Sequence, residues 1–414
     1  MSFAGMLRGL MEEHGLGVAE TARQVPCDKA YISRLASGLQ RPSRQLALRL
    51  DEVFGCGGAL AAAAGFARPP AAVTPLHGGS GGADASLLAR GLRDALLDYG
   101  QLTLPEDLPA DAAPPVRVLE RDVARALAAY QGSRYSEVLD CLPRLLGECQ
   151  RATGVYRGHA GRRAHAVLAL SYQAAAMILP KLGDAVLAWV AAERGLQAAQ
   201  RSGNPNVTAS LLRSVAYVHQ CCGRYETALQ VTEDAGRFMR ARLDLSSPAG
   251  LSLYGTSFLA GAMAAARNAD KATVRAYLGE ADGAAGRLGA DGNHMWTAFG
   301  PSNVIIHQVG TAVELDSMQS AVRLASRLRP AGLIPERRAR HAFDVARAYI
   351  AWDKPDEALA VLLEAERLVP EQVRSHTAGR QAAAALLQAS GSRPGPELTA
   401  FARRVGAEGP GPVA

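Results

Sequence analysis

The sequence predicts an all-α protein, and three observations carry that prediction. Alanine and leucine outnumber the β-branched residues, which favours helix over strand. Apolar residues recur at spacings of three and four, the period of a helix with one buried face. From residue 117 to about 405, helix pairs separated by short polar turns repeat along the chain. We therefore expect a domain of five short helices followed by an α-solenoid.

Length and composition limit the classes of protein. A chain of 414 residues with 48% hydrophobic residues is long enough for two or more packed domains. Its net charge of +6 is too mild to indicate nucleic-acid binding by itself. The N-terminus lacks the features of a signal peptide, and no stretch approaches the roughly 18 uninterrupted apolar residues of a membrane span. We expect a cytoplasmic protein with no membrane contact.

The N-terminal domain is predicted to span residues 1–66 and to contain five helices. They cover residues 3–13 and 17–24, a third run that begins after Asp28 and stops at Gly38, a fourth that opens at residues 42–43, and a fifth at 59–64. Asp28 is predicted as the N-cap of the third helix. A proline- and glycine-rich stretch at 67–83 predicts a flexible linker, and residues 84–414 form the solenoid domain.

The third helix and its exit are purely basic. Between residues 29 and 50 the chain carries five cations and no acid, although acids lie on both sides. The cations are Lys29, Arg34, Arg41, Arg44 and Arg49. A short polar helix with a cationic exit suits a phosphate backbone and a major groove, so the pattern predicts DNA binding.

The same segment resembles a known family. Residues 30–35, followed by Gly38 and residues 41–43, resemble the third helix and exit turn of lambda-repressor and Cro-like helix-turn-helix domains, often called XRE. The resemblance implies a sequence-specific transcriptional regulator that binds double-stranded DNA. The DNA-contacting residues that it implies are Lys29, Ala30, Tyr31, Ser33, Arg34, Gln40, Arg41, Ser43 and Arg44. Those at the start of the helix reach base edges and the later ones set the register on phosphates.

Several positions in this match carry a second interpretation. The hydroxyl of Ser43 either contacts a phosphate or caps the fourth helix. Tyr31 is expected to lie half in the core and half against the DNA backbone. Val18 stands where the family commonly has a glutamine that contacts DNA, which removes one contact. Because a single domain makes few phosphate contacts, we expect a homodimer on an inverted repeat, with the solenoid as the dimerisation domain.

The repeats resemble tetratricopeptide repeats. The clearest copy runs from Ala346 through Tyr349 and residues 353–358 to Pro370, with the small, aromatic and proline positions of that consensus. Six anchor positions follow one another at intervals of 50, 40, 46, 47 and 37 residues, longer than the ~34 of ideal repeats. The combination of domains resembles actinobacterial XRE regulators and, more loosely, the peptide-responsive quorum-sensing regulators of Firmicutes called RRNPP. It implies a domain that senses an effector.

Two sets of residues are candidates for an effector site on the concave face of the solenoid. They are Arg213, Tyr217 and Gln220 on one helix, and Trp296, Phe299, Asn303 and His307 around the start of another. The amide and imidazole would bind a peptide or small molecule, and the aromatic rings would hold an apolar group. The alternative for each set is structural: the rings fill gaps between repeats and the polar groups are satisfied within the fold. The alternative function is a protein–protein scaffold without a small ligand.

No motif indicates an enzyme, a metal site or a cofactor. The chain has no H-E-x-x-H, P-loop or dinucleotide fingerprint. A G-x-S-x-G at residues 78–82 lies in the glycine-rich stretch, without the strand and helix that a nucleophile elbow needs. The six cysteines show no metal-ligand spacing, and we expect them to be reduced thiols. We therefore predict no catalytic residue, no metal ligand and no cofactor.

Overall fold

The fold is all-α, as predicted. The computed structural model describes residues 3–25, 27–40, 42, 44–64, 83–98, 109, 112–328, 332–390 and 393–407. Within those ranges there is no strand, only one isolated bridge between Gly292 and Phe299. Contacts divide the chain into two compact units, Met1–Thr74 and Pro75–Ala414. The predicted linker and the G-x-S-x-G lie outside the described residues, apart from Ala83.

The N-terminal unit consists of five short helices around one apolar core. They are α1 (Phe3–Glu13), α2 (Val18–Gln24), α3 (Lys29–Ala36), α4 (Arg44–Val53) and α5 (Ala59–Ala63). The apolar face of each helix turns inward, and Leu7, Leu50 and Leu60 have no exposed surface. The five helices agree closely with the predicted ones because their apolar spacing is visible in the sequence, and Asp28 and Gly38 mark the ends of α3.

One buried carboxylate fastens the end of this unit. The side chain of Asp51 accepts hydrogen bonds from the backbone N–H groups of Gly58, Leu60 and Ala61 at 2.5, 2.7 and 2.9 Å. Two of these groups lie in the first turn of α5, where a helix has no internal acceptors for its N–H groups. Three donors offset the desolvation of one charge, so Asp51 joins α4 to α5.

The second unit is a repeat-like stack of helices. After α6 (Ala83–Leu97) come α7 (Val116–Gln131), α8 (Tyr135–Val155), α9 (Gly158–Ile178), α10 (Ala185–Ser202), α11 (Pro205–Cys221), α12 (Tyr225–Arg242), α13 (Pro248–Arg267), α14 (Lys271–Leu288), α15 (Pro301–Glu314), α16 (Met318–Ala325), α17 (Pro335–Ala351) and α18 (Pro355–Leu368). The chain continues with α19 (Pro370–Ser375), α20 (Thr377–Ser390) and α21 (Pro396–Val405). The helices from α7 to α18 contact one another in six consecutive pairs, and we call these six pairs the repeat stack.

The anchor positions of the predicted repeats occupy one structural position. Each is the fourth residue of the second helix of a pair, and each is buried. They are Val138, Ala188, Ala228, Val274, Ala321 and Ala358. A small residue there allows the second helix to approach the first closely, which explains why the pattern is visible in the sequence although the intervals are uneven.

The same three-residue turn joins the helices of five pairs. Its middle residue has a positive φ: 60° at Ser133, 75° at Gly223 and 58° at Ala269, Asp316 and Asp353. The N–H of the third residue returns to a carbonyl five residues back, as in a Schellman motif; the Asp270 N–H donates to the Ala265 carbonyl at 2.9 Å. Four of the five turns place a residue other than glycine in this left-handed conformation.

The stack closes on itself. Helix α7 contacts α17, and α8 contacts α19. The Ser133 hydroxyl donates to the Gln372 side chain at 2.5 Å, and the amides of Gln131 and Asn293 bond each other reciprocally at 2.9 and 2.8 Å. The inner face that we predicted as a concave surface is therefore an interior, where the first repeat meets the last helices.

Helix α13 is the most apolar long helix among the described residues, although serine, threonine and glycine interrupt its apolar run. Among the described residues it alone is long and apolar enough to cross a membrane by length and composition, with a mean hydropathy of 1.2. In this structure 89% of that stretch is buried inside the protein. It packs against α11, α12, α14 and α15, and a helix covered on all sides is apolar all round.

Candidate functional site

Helix α3 has one buried face and one exposed face. Ile32, Leu35 and Ala36 pack into the core, and the Asp28 carboxylate accepts the Ala30 N–H at 2.9 Å, which confirms the predicted N-cap. The exposed residues of the helix and its exit are Lys29, Ala30, Ser33, Arg34, Ser37, Gly38, Leu39 and Gln40. Those within the helix recur at the spacing of one helical face, so one strip of side chains is available to a partner.

The exit turn positions Arg34. Gly38 has a φ of 73°, and the Leu39 N–H donates to the Arg34 carbonyl at 2.9 Å, which turns the chain back along the helix. The Arg34 Nε then donates to the Gln40 side-chain oxygen at 2.9 Å. This bond uses one of the five guanidinium donors and fixes the direction of the planar group.

The other residues predicted to contact DNA are half-buried or lie outside the described residues. Tyr31 is half-buried, and so is Val18, which packs against the apolar core. Arg41 and Ser43 lie outside the described residues, as does the side chain of Arg44, whose backbone begins α4.

Two residues on the exposed strip were not predicted. The Ser37 hydroxyl donates to the Ser33 carbonyl at 2.7 Å, and Leu39 is 80% exposed. The helical period alone would have placed Ser37 beside Ser33 on the same face.

The predicted effector residues lie mostly inside the second unit. Arg213, Gln220, Asn303 and His307 are 6, 5, 2 and 4% exposed. Tyr217 and Trp296 are partly buried. Phe299 differs from the rest because it is fully buried over Gly255, where an added Cβ would come within 2.0 Å of its ring. Phe299 therefore fills the core and offers no face to a ligand.

One residue from each predicted set is affected by the positive charges of helix α17. Burial and, to a smaller extent, the positive charge of Arg337 on α17 lower the pKa of Arg213 to about 10. Burial also lowers the pKa of His307 well below its usual value, again with Arg340 and Arg337 on α17 acting in the same direction. Arg213 on α11 and His307 on α15 thus share the electrostatic field of α17.

Sequence reasoning missed a buried ion pair at the centre of this region. Lys181 is 5% exposed and Glu336 is 3% exposed, and the Lys181 ammonium donates to one oxygen of the Glu336 carboxylate. Arg337 donates to the other oxygen at 2.7 Å. Burial opposes the charged form of each, but their mutual attraction prevails, so the pKa of Lys181 is raised and that of Glu336 falls below its usual range. The Lys181 ammonium also lies 4.9 Å from the centre of the Tyr130 ring.

A small cavity lies beside this pair. It has a volume of about 20 Å³, and its walls include Arg213, Glu336, Arg337, Gln131 and Trp296. Trp296 ends a single 3-10 turn, His294–Trp296, in which both Met295 and Trp296 have positive φ, at 51° and 54°. A larger cavity of about 400 Å³ lies between α12, α13 and α14, and no predicted effector residue lines it.

The described residues hold no cluster suited to a metal. Among them, no group of three or more histidine, cysteine, aspartate or glutamate side chains is placed to hold an ion. The six cysteines are free, and burial raises the pKa of Cys149 to about 12, so its thiolate is disfavoured at neutral pH.

Comparison with known proteins identifies one region of the chain. The family described as a helix-turn-helix domain matches residues 2–64. No curated protein and no solved structure matches this chain. The N-terminal unit is therefore a helix-turn-helix domain, and its presence supports a DNA-binding regulator.

Proposed function

We propose that this chain is a cytoplasmic transcriptional regulator of the XRE type that reads double-stranded DNA through α3. The observation that carries the proposal is the exposed strip of α3 on a matched helix-turn-helix domain. Lys29 donates to guanine O6 and N7, the Ala30 methyl meets a thymine methyl, and Ser33 reads an adjacent base. Neither a catalytic residue nor a cofactor is part of this function.

Phosphate contacts set the register of the helix in the groove. Gln40 holds the Arg34 guanidinium beside the exit turn, so that its remaining donors form a preorganised fork for a phosphate. The resemblance to XRE domains adds Tyr31, Arg41, Ser43 and Arg44 to this set. Each phosphate that the protein neutralises adds about 0.9 to the steepness with which log K falls against log salt concentration. A single unit makes few such contacts, so it binds weakly.

The second unit supplies dimerisation and sensing in this proposal. A homodimer places two copies of α3 on the half-sites of an inverted repeat, about one helical turn apart. Val186 and Trp189 are one turn apart on α10 and are 50 and 44% exposed, which supports an apolar contact between copies. An effector would act by preferring one conformer of the tetratricopeptide-like stack.

The second candidate function is a scaffold that binds another protein and no small ligand. The closure of the stack favours it, because the inner face is interior and the outer surface is left as the accessible one. Both candidates keep the same DNA-reading unit.

Selection of binding sites from random DNA, followed by titration of variants, tests the DNA-reading role. We expect Lys29→Ala to weaken binding by about 1–3 kcal/mol and to relax the preference at one base pair of each half-site. We expect Arg34→Ala to weaken all sequences alike and to lower the salt slope by about 1 for each unit bound. Arg8→Ala is the matched control, because Arg8 is an exposed arginine of α1.

These binding measurements test whether α3 is the recognition helix. If both α3 variants select and bind the same sites as the unchanged protein, α3 is not the recognition helix. Light scattering on the same samples measures the oligomer, and a dilute monomer that still protects an inverted repeat would overturn the homodimer.

A further inference from the structure

Arg213 is a buried cation with an unsatisfied donor. It is 6% exposed, and its Nε has no hydrogen-bond partner although no solvent reaches that atom. Among the described residues no acid forms an ion pair with it; Glu336, whose negative charge acts on it, already binds Lys181 and Arg337. A buried guanidinium left unpaired is costly, so its retention needs an explanation.

The charges around Arg213 do not balance. Lys181, Arg213 and Arg337 are cations that surround one carboxylate, that of Glu336. The Nε of Arg337 is also buried without a partner. Protein interiors pair their buried charges, and the missing partner of this cluster is an anion.

The cavity supplies the place for that anion. Arg213 and Arg337 both line it, and Trp296 and Gln131 close its side. Gln131 is itself held by the Asn293 amide and by the Trp296 carbonyl at 2.9 Å, so this wall is built and fixed. A volume of about 20 Å³ admits a group of about the size of one water.

We propose that the second unit binds one small anionic group, a carboxylate or phosphate end of a ligand, between Arg213 and Arg337. The proposal names the chemical class of the effector and to that extent rests on the sensing role proposed above. The anion completes the charge balance and accepts from the two guanidinium groups, as carboxylates and phosphates do in forked pairs. A carboxylate or phosphate is larger than the one water that the closed cavity admits, so it enters only if the walls part, which couples binding to the conformation of the stack.

Thermal unfolding of the full chain in dilute buffer tests the site. Sodium acetate, sodium phosphate and sodium chloride are the probes, and tryptophan fluorescence is the readout because Trp189, Trp296 and Trp352 all belong to the second unit. We expect acetate or phosphate to raise the midpoint by about 2–4 °C and to saturate, as binding to the native state does. A larger rise with acetate identifies a carboxylate source, and a larger rise with phosphate identifies a phosphate source.

Substitution separates this site from a general salt effect. Arg213→Met is expected to unfold at a higher temperature than the unchanged protein without added anion, because an unpaired charge is gone, and to lose the saturable rise. Arg242→Met is the control, because Arg242 is an exposed arginine on α12. Arg213→Lys keeps the charge but not the fork, and we expect it to need about tenfold more anion. It serves as the test if Arg213→Met does not fold.

Two results would overturn the proposal. One is the absence of a saturable rise in the unchanged protein with any of the three salts. The other is an equal rise in Arg213→Met and Arg242→Met, which would mark a general salt effect. The assay contains no DNA, so a chain that binds anion but selects no DNA site refutes the regulator and leaves the anion site standing.

Discussion

The two units of this protein put their polar groups in opposite places. In the described part of the N-terminal unit the core is apolar, the strip of α3 proposed to face DNA is exposed, and the one buried acid, Asp51, is satisfied by three backbone donors within ten residues. In the second unit the candidate functional groups are buried. Lys181 and Glu336 are partners across 155 residues of chain, and the Arg213 Nε has no hydrogen-bond partner.

The difference corresponds to where each unit would bind the ligand proposed for it, on an outer face or in an interior. A DNA duplex is larger than the unit that reads it, so recognition takes place on an outer face and needs no opening. The small anion proposed for the second unit would be enclosed, and a charged interior kept ready for it would come at a cost in stability. Perturbing the interior of the second unit should therefore change its stability much more than equivalent changes at its surface.

Removing one member of the buried ion pair has the largest expected effect. Lys181→Met leaves the Glu336 carboxylate buried with Arg337 as its remaining partner, and we expect the second unit to lose about 3–5 kcal/mol of unfolding free energy. Urea titration followed by tryptophan fluorescence measures this loss. Lys354→Met is the matched control, because the Lys354–Glu357 pair is exposed at 3.6 Å and its loss should cost less than about 1 kcal/mol. Equal effects would show that burial does not distinguish the two pairs.

Acid is expected to act on the second unit next most strongly. Burial lowers the pKa of His341 to about 4 and that of His376 to about 3, both from 6.5. The His376 Nδ1 accepts the Ala378 N–H at 3.0 Å, and a protonated nitrogen cannot accept. Below pH 6.5 the native state therefore binds fewer protons than the unfolded chain, so the free energy of unfolding decreases as the pH is lowered. We expect a loss of about 3 kcal/mol between pH 6.5 and about pH 5.

A histidine variant isolates this effect. Asn at position 376 keeps an acceptor for the Ala378 N–H and does not titrate, so His376→Asn should lessen the loss by about 1–2 kcal/mol. His159→Asn, at an exposed histidine, should leave the profile unchanged. Unfolding free energies that stay level down to pH 5 in the unchanged protein would contradict the buried neutral histidines.

The smallest expected effect concerns a turn geometry that occurs in both units. Gly38 ends α3 with a φ of 73°, whereas Ala269 has a φ of 58° in the corresponding turn of the stack. Because the left-handed region strains alanine but not glycine, Ala269→Gly should stabilise the second unit by about 1 kcal/mol. Gly223→Ala should destabilise it by a similar amount, since no neighbour crowds an added Cβ there and only the backbone strain changes. Urea midpoints that move in the same direction in both variants would contradict this account.

Much of the fold was predictable because its signals are local. The caps and apolar spacings of the first five helices lie within a few residues of each other, and the Asp28 cap and the Gly38 turn were both readable. The repeats were readable from their small anchors, such as Ala358. The turns of the stack could not be predicted, because four of their five left-handed residues are residues other than glycine.

The interior of the second unit was less predictable because its contacts are distant in sequence. Arg213 and His307 were selected from helical spacing, but their burial and their common neighbour Arg337 depend on the closure of the stack. Lys181 and Glu336 stand alone in the sequence with no motif around them. Phe299 has the same sequence signal as Trp296, and only the packing over Gly255 separates a core ring from one that lines the cavity.

The closure of the stack also has a consequence for how the chain folds. In an open array of repeats, each repeat contacts only its neighbours, so folding can begin anywhere and a terminal repeat can fray alone. Here Ser133 bonds Gln372 across 239 residues, so the ends must meet before these contacts form. Such long-range closure slows folding and links the fate of the first repeat to that of the last. Loss of the final helices should therefore loosen the beginning of the stack and leave a truncated chain open to proteolysis.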